Sequence, residues 1–253
     1  MPIPKIIHQT IRDKHDLHPL VAQNIARLKA LNPDWEHRLY DDRDIRDFIS
    51  RSYGPAYLKT FDRIHPAYGA ARADFFRYLV VLHAGGVYLD IKSTADKPLS
   101  SVIGAANSLI LSHWHEGESG EGRRAGQWPD FGVPNEFQQW HVIARPEHPY
   151  LAEVVARVKA NIDHYDPRKL GVGTVGTLRT TGPIAYSLAI AAMLHLGDHR
   201  LVDVGELGLR YSIFEAFGSE HRDYIGSSYA QARAPVAQLS AVTSALYLLH
   251  RGH

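Results

Sequence analysis

The chain has 253 residues, of which 45% are hydrophobic and 22% are charged, a balance that can fill the core of one large α/β domain or two small ones. Its 28 basic and 27 acidic residues leave a formal net charge of +1, and this neutrality argues against a broad nucleic-acid-binding surface. There is no cysteine, which excludes disulfides, thiol nucleophiles and thiolate metal sites.

Two stretches bear on the cellular location of the chain. Residues 1–7 lack the charged start and the long apolar run of a signal peptide. The most apolar stretch, residues 184–196, is interrupted by polar side chains and is shorter than the ~20 residues that span a bilayer. We therefore expect a cytoplasmic protein without a transmembrane segment, which meets a membrane at most through its surface.

The predicted elements of the first half alternate between strand and helix. Residues 5–8 predict a first strand, and apolar residues at helical spacing over 21–28 predict a helix that ends at Asn32-Pro33. Residues 37–40 predict a second strand. Asp42 is expected to cap the helix that follows it.

The segment from Pro66 to His83 gives the strongest helix prediction, because its apolar residues form one stripe and Gly85-Gly86 follows as a stop signal. Residues 87–90 then predict a short buried strand that ends in the carboxylate of Asp90. Ligands of open α/β sheets bind beyond the carboxyl ends of the strands. Asp90 therefore occupies the place where chemistry is expected.

The second half repeats the alternation less regularly. Residues 108–111 and 139–144 predict strands, and the glycine- and charge-rich stretch between His113 and Asn135 predicts a long loop. Apolar spacing over 151–162 predicts a helix, and Pro183 is expected at the first position of another. Strands that alternate with helices predict an α/β fold with a parallel or mixed sheet covered by helices.

Four residues around the glycine pair are predicted to converge. Asp74 and Arg77 are three apart on a helix and share a face, while Tyr88 and Asp90 alternate along a strand and share another. A guanidinium suits phosphate oxygens, and carboxylates accept hydrogen bonds from hydroxyls or hold a metal. The group suits a ribose, a diphosphate and sugar hydroxyls. Alternatively, Asp74 and Arg77 form an ordinary surface pair and Tyr88 only packs in its strand.

Three blocks of the sequence, at residues 3–10, 32–35 and 73–99, resemble the DXD-motif sugar transferases. That family includes yeast outer-chain mannosyltransferases, bacterial capsule enzymes and, more distantly, the glucosyltransferase domains of large clostridial toxins. The resemblance implies a GT-A fold, Rossmann-like, with a mixed, mostly parallel central sheet flanked by helices. It also implies transfer with retention of the anomeric configuration.

The resemblance further implies how the chain is organised. We expect a single domain over residues 1–253, with a nucleotide-sugar-binding half at 1–104 and an acceptor-side half at 105–253. The donor-binding residues that it implies are His8, Gln9, Thr10, Asp74, Arg77, Tyr88, Asp90 and Asn135.

Individual roles follow from the same resemblance. His8 would lie near the nucleotide base, although a buried, hydrogen-bonded histidine is the alternative. Asp74 and Arg77 would bind sugar and phosphate oxygens, Tyr88 would contact the ribose, and Asn135 would sit near the sugar or the acceptor.

The chain departs from the family motif at one position, because it reads Asp90-Ile91-Lys92 where the family has Asp-X-Asp. A protonated lysine cannot bind the divalent cation as the second carboxylate does. One alternative is that Asp96 or His250 joins Asp90 as a ligand of Mn²⁺ or Mg²⁺. The other is that the Lys92 ammonium neutralises the leaving diphosphate. The predicted catalytic residues are thus Asp90, Arg77 and Lys92.

The predicted function is that of a retaining glycosyltransferase. It would move a sugar from a nucleotide-diphospho-sugar, with a UDP-sugar favoured over GDP-mannose, to a glycan or lipid-linked saccharide in surface polysaccharide or oligosaccharide synthesis. The alternative is a non-catalytic nucleotide-sugar or glycan-binding protein that has lost the second carboxylate. A glycoside hydrolase is disfavoured, because no acid and nucleophile pair of carboxylates stands out.

Overall fold

The computed structural model describes residues 1–114, 126–214 and 233–239. Its helices are α1 (Pro19–Leu31), α2 (Asp42–Arg63), α3 (Gly69–Ala84), α4 (Leu99–Val102), α5 (Pro149–Asp163), α6 (Pro167–Leu170), α7 (Gly173–Thr180) and α8 (Pro183–Met193). Its strands are β1 (Ile6–Thr10), β2 (Glu36–Tyr40), β3 (Gly86–Leu89), β4 (Thr94–Ala95), β5 (Leu109–Leu111), β6 (His141–Ala144), β7 (Arg200–Leu201) and β8 (Leu209–Arg210).

A central sheet runs in the order β2-β1-β3-β6-β5-β7. The pairs β1–β2, β1–β3 and β5–β7 are parallel, whereas β6 is antiparallel to both β3 and β5. The predicted mixed, mostly parallel sheet flanked by helices is therefore confirmed. Since β6 alone is reversed within the run from β2 to β5, its beginning lies at the same edge as the carboxyl ends of β1, β2, β3 and β5.

The helix α3 lies inside the protein, which explains how charged side chains reach the interior. Its residues 74–81 are all buried, and the cluster of core side chains around it includes Phe75, Phe76 and Tyr88. A helix that is apolar on most sides is stable only within a core. Asp74 and Arg77 are carried into that core, so the surface-pair alternative is wrong.

Two glycines allow the strand after α3 to approach its neighbour. Gly85 ends the helix with φ of 65°, and Gly86 begins β3 with φ of 99°, a region that side-chain-bearing residues rarely adopt. A Cβ at Gly86 would lie 2.5 Å from the carbonyl oxygen of Ile6. The glycine pair that was predicted to end the helix therefore also allows β3 to pair with β1.

Two helix boundaries in the structure differ from the predicted ones. Asp41, not Asp42, is the cap of α2: its side chain accepts hydrogen bonds from the backbone of Arg43 and Asp44, while the Asp44 side chain accepts from the backbone of Asp41. The cap prediction was wrong by one residue. Similarly, α3 begins at Gly69 rather than at residue 66.

The predicted long loop is only partly described, since residues 115–125 lie outside the described ranges. Within those ranges, no helix combines the length and the apolar character needed to cross a membrane.

Candidate active site

Arg77 is the centre of a buried charge network. One of its terminal nitrogens lies 3.0 Å from a carboxylate oxygen of Asp74 and 3.0 Å from one of Asp90. The other donates to the carbonyl of Gln139 at 2.6 Å, and the guanidinium lies 4.8 Å from the ring centre of Tyr88. The side chains of Asp74 and Arg77 are each 4% exposed, whereas that of Asp90 is 23% exposed. Asp90 is thus the end of the network that solvent reaches.

Asp74 is surrounded by protein donors. Thr181 donates its hydroxyl proton to one carboxylate oxygen at 2.9 Å, and Gln139 donates its amide proton to the other at 3.2 Å. Burial raises the pKa of Asp74, an effect that the neighbouring Arg77 opposes. Asp74 therefore orients Arg77 in this structure and presents no exposed oxygen to a ligand.

The end of β1 packs directly against the network. The hydroxyls of Thr10 and Tyr88 lie 2.9 Å apart, and the Gln9 side-chain amide donates to the backbone carbonyl of Asp90 at 3.3 Å. Burial raises the pKa of Tyr88, so the phenol stays protonated and neutral. Gln9 and Thr10, two of the residues that the resemblance implies, thus lie in contact with Asp90 and Tyr88.

His8 is fully buried in β1, two residues before the end of that strand. Its two ring nitrogens lie 2.9 Å from the carbonyl of Gly85 and 3.1 Å from the hydroxyl of Tyr40. Burial lowers its pKa to about 4, so the ring is neutral near pH 7. The arrangement matches the alternative of a buried, hydrogen-bonded histidine, and a contact with the nucleotide base stays a prediction.

Lys92 sits beside an aromatic cluster. Its ammonium nitrogen lies 2.6 Å from the hydroxyl of Tyr211 and 3.8 Å from the centre of that ring. The Tyr211 ring in turn meets Trp114 and Trp140 edge-on, with ring centres 5.2 and 5.7 Å apart. Lys92 is only 7% exposed. Trp140 itself is buried and stacks on His141.

The remaining predicted residues are placed differently. Asp96 lies between two arginines, with oxygen–nitrogen distances of 2.6 Å to Arg27 and 2.7 Å to Arg210. Burial opposes its ionisation, but the two arginines lower its pKa below the ordinary value. Asn135 is exposed in the loop before β6. His250 lies outside the described residues.

Sequence reasoning missed two residues that hold the network together. Gln139 contacts both Asp74 and Arg77 and accepts a hydrogen bond from Tyr78 at 3.0 Å, yet a neutral side chain at the edge of a predicted strand gives no signal. Thr181 stands just before the helix that Pro183 opens, and its hydroxyl role depends on the folded arrangement.

Comparisons with known proteins find similarity to glycosyltransferases. Residues 19–110 match the family model described as a glycosyltransferase sugar-binding region containing a DXD motif. The initiation-specific α-1,6-mannosyltransferase of Schizosaccharomyces pombe is 29% identical over 200 residues, 76% of this chain and 49% of that protein. A mannosyl phosphorylinositol ceramide synthase of Saccharomyces cerevisiae is 33% identical over 186 residues, 74% of this chain and 42% of that protein. The chain spans about half the length of the curated relatives it matches.

Solved structures support the fold. The UDP-bound glycosyltransferase domain of the YGT toxin superposes with a TM-score of 0.54 at 8% identity, over 86% of this chain and 82% of that one. The PaToxG glycosyltransferase gives 0.52 at 16% identity, over 96% and 83%. The GT-A fold and the resemblance to the DXD-motif sugar transferases are therefore confirmed.

Proposed function

We propose that this chain is a glycosyltransferase that takes a sugar from a nucleotide-diphospho-sugar, with Asp90 in contact with the donor. One observation carries the proposal. The partly exposed Asp90 carboxylate is fixed by Arg77 at the sheet edge where α/β folds bind ligands, and the matched family segment at 19–110 includes both residues.

The proposed reaction proceeds with retention. The bond between the anomeric carbon and the phosphate oxygen breaks, and its electron pair leaves with the nucleoside diphosphate. An acceptor hydroxyl forms the new bond on the same face, and its proton passes to the departing phosphate oxygen. Asp90 accepts a hydrogen bond from a donor hydroxyl and thereby aligns the anomeric carbon with the acceptor. No separate protein base is needed.

The identity of the substrates also belongs to the proposal. The names of the matched fungal relatives specify mannosyl transfer, which favours GDP-mannose as the donor to test beside the UDP-sugars. We propose a glycan or lipid-linked saccharide as the acceptor, in surface polysaccharide synthesis at the cytoplasmic side of a membrane. The central sheet draws strands from residues 1–104 and from 105–253, which supports a single domain with a donor-side and an acceptor-side half.

A thermal-shift panel of UDP- and GDP-sugars tests donor binding, because a ligand raises the midpoint of unfolding according to its affinity. We expect one nucleotide sugar to stabilise the protein and to be hydrolysed slowly without an acceptor. Asp90→Asn should abolish that hydrolysis while the exposed control Asp47→Asn retains it. The absence of any shift across the panel would refute the proposal.

A second candidate, a binding protein without turnover, is favoured by one observation, the replacement of the second motif carboxylate by Lys92. It predicts a thermal shift without donor hydrolysis and without transfer to any glycan acceptor. Detection of free nucleoside diphosphate that depends on Asp90 would exclude it.

A further inference from the structure

We propose that the indole of Trp128 stacks on a sugar ring of the acceptor saccharide and that Glu136 positions this indole. The inference rests on the proposed function and deepens it, because it names the acceptor subsite of the same enzyme. Both residues lie in residues 126–136, which precede β6 and are called the tryptophan loop below.

Glu136 holds the edges of two indoles. Its carboxylate oxygens accept hydrogen bonds from the ring nitrogens of Trp114 at 2.6 Å and Trp128 at 2.5 Å, and Glu136 is only 5% exposed. The packing is close, since a Cβ at Gly126 would lie 2.6 Å from the side chains of both Trp114 and Glu136. An indole has a single N–H donor. Each ring is therefore fixed at its polar edge, and its apolar faces remain for other contacts.

Trp128 is placed differently from the tryptophans of the core. Trp35 and Trp140 are buried, and both belong to one apolar core cluster. Trp128 is half-buried, and it joins none of the apolar clusters that the described residues form. A tryptophan that is fixed in place without contributing to the core is typical of a binding surface.

The tryptophan loop is tethered to Asp90 by the chain that follows it. Glu136 precedes Trp140 by four residues, and the Trp140 carbonyl accepts a hydrogen bond from the Asp90 amide at 2.8 Å. Four residues span at most about 14 Å, which limits the distance from Glu136 to this contact. The Trp114 ring approaches the same point, because the Tyr211 ring meets Trp114 and Trp140 edge-on at 5.2 and 5.7 Å.

A second tether joins the loop to the residues around Asp74. The Phe131 amide donates to the Trp128 carbonyl at 3.0 Å, and the guanidinium of Arg179 lies 4.7 Å from the centre of the Phe131 ring. Arg179 stands two residues before Thr181, whose hydroxyl donates to Asp74 at 2.9 Å. The tryptophan loop is thus attached at two points to the charge network of the candidate site.

An indole face suits a saccharide, and its place in the chain favours the acceptor. The face of an aromatic ring is negatively polarised, so it meets the C–H groups on the apolar side of a sugar ring while the sugar hydroxyls stay free. Small-molecule sites commonly combine aromatic walls with a few fixed polar groups. The matched sugar-binding region ends at residue 110, and both Trp114 and Trp128 lie beyond it, in the half proposed for the acceptor.

The test uses methyl glycosides of mannose, glucose and galactose, and their disaccharides, as acceptor probes. We expect at least one probe to change the tryptophan fluorescence of the wild type and to accept the transferred sugar. Trp128→Ala should raise the KM for that probe about fivefold or more, with a much smaller rise in the donor KM. Trp128→Phe keeps an aromatic face and should recover most of the acceptor affinity. Asp130→Ala, at an exposed position of the same loop, is the matched control and should keep the wild-type KM.

Glu136→Gln separates orientation of the ring from stacking. Its amide keeps an oxygen for one indole but turns N–H donors toward the other, so we expect the acceptor KM to rise while kcat stays close to that of the wild type. A folded Glu136→Gln variant that loses kcat with an unchanged acceptor KM would contradict a positioning role.

Three further outcomes decide between the inference and the proposed function. A folded Trp128→Ala variant whose acceptor KM is unchanged, or whose donor KM rises as much as its acceptor KM, would overturn the inference. A wild type that hydrolyses the donor but neither binds nor glycosylates any probe would also overturn it, and would leave the proposed function intact. Failure of every nucleotide sugar to bind would instead defeat the proposed function.

Discussion

Replacement of Arg77 by methionine tests whether the buried charge network holds the fold as well as the site. The substitution keeps an unbranched apolar stem and removes the only cation that the structure shows in contact with the Asp74 carboxylate. It also releases Asp90 and leaves the Gln139 carbonyl without its donor.

The expected loss of unfolding free energy depends on the hydrogen bonds that Asp74 keeps after Arg77 is replaced. Removal of one partner from a buried ion pair costs about 3–5 kcal/mol, because the other charge stays buried. Thr181 and Gln139 still donate to Asp74, so we expect the lower end, about 3 kcal/mol of unfolding free energy. For a chain of this size that corresponds to a loss of about 6–12 °C in Tm.

The loss of unfolding free energy in Arg77→Met should grow as the pH rises. Burial raises the pKa of Asp74 in the folded state, with Arg77 opposing that rise. The cost of ionising Asp74 is therefore absent below the unfolded pKa, grows as the pH rises from that value to the raised folded pKa, and is constant above it. Removing Arg77 raises the folded pKa further. The deficit of Arg77→Met should therefore be larger at pH 7 than in acid, and it should shrink as the pH falls toward the folded pKa of Asp74 in the wild type.

Urea unfolding at several pH values measures this deficit. Arg72→Met is the matched control, because Arg72 lies on the same helix but is half-buried, 4.9 Å over the Phe61 ring and 3.9 Å from Asp42. Its loss should stay within about 1 kcal/mol. Equal losses for the two variants, or an Arg77→Met deficit that does not change with pH, would refute the reasoning.

Two further predictions concern stability alone. Asp41→Ala should cost about 1 kcal/mol by loss of the α2 cap, whereas Asp42→Ala should change the urea midpoint little; the reverse order would restore the sequence-based assignment. His141→Phe should raise the unfolding free energy by about 1 kcal/mol, because both ring nitrogens of His141 are buried without a hydrogen-bond partner in the described structure. Burial lowers the pKa of that imidazole to about 3, so it is neutral in the assay, and the phenyl ring keeps the stack on Trp140. A destabilised, folded His141→Phe variant would contradict this expectation.

The sequence was sufficient to predict which side chains share one face of a helix or of a strand. Helical spacing brings Asp74 and Arg77 to one face, and strand alternation does the same for Tyr88 and Asp90. A glycine pair between the helix and the strand folds the two faces against each other. These short-range rules predicted the contacts that Arg77 makes with the other three residues.

Contacts between distant segments could not be predicted in the same way. Gln139 reaches Asp74 across 65 positions and Thr181 across 107, and neither separation leaves a periodic signal. The reversal of β6 likewise depends on how strands pair in space. Where two adjacent aspartates compete for one helix cap, sequence alone does not distinguish them, and the Asp41–Asp44 reciprocal hydrogen bonds decide.

The four residues that the sequence singled out do not share one task. Asp74 and Tyr88 are enclosed, with their polar atoms directed at Thr181, Gln139 and Thr10, and Arg77 is held on all sides. Only Asp90 combines a fixed geometry with exposure to solvent. We infer that Arg77, held by Asp74, preorganises Asp90, because a carboxylate held by a buried guanidinium needs no reorientation when a ligand arrives. This division predicts that Asp90→Asn abolishes turnover with little loss of unfolding free energy, whereas Asp74→Asn lowers the unfolding free energy.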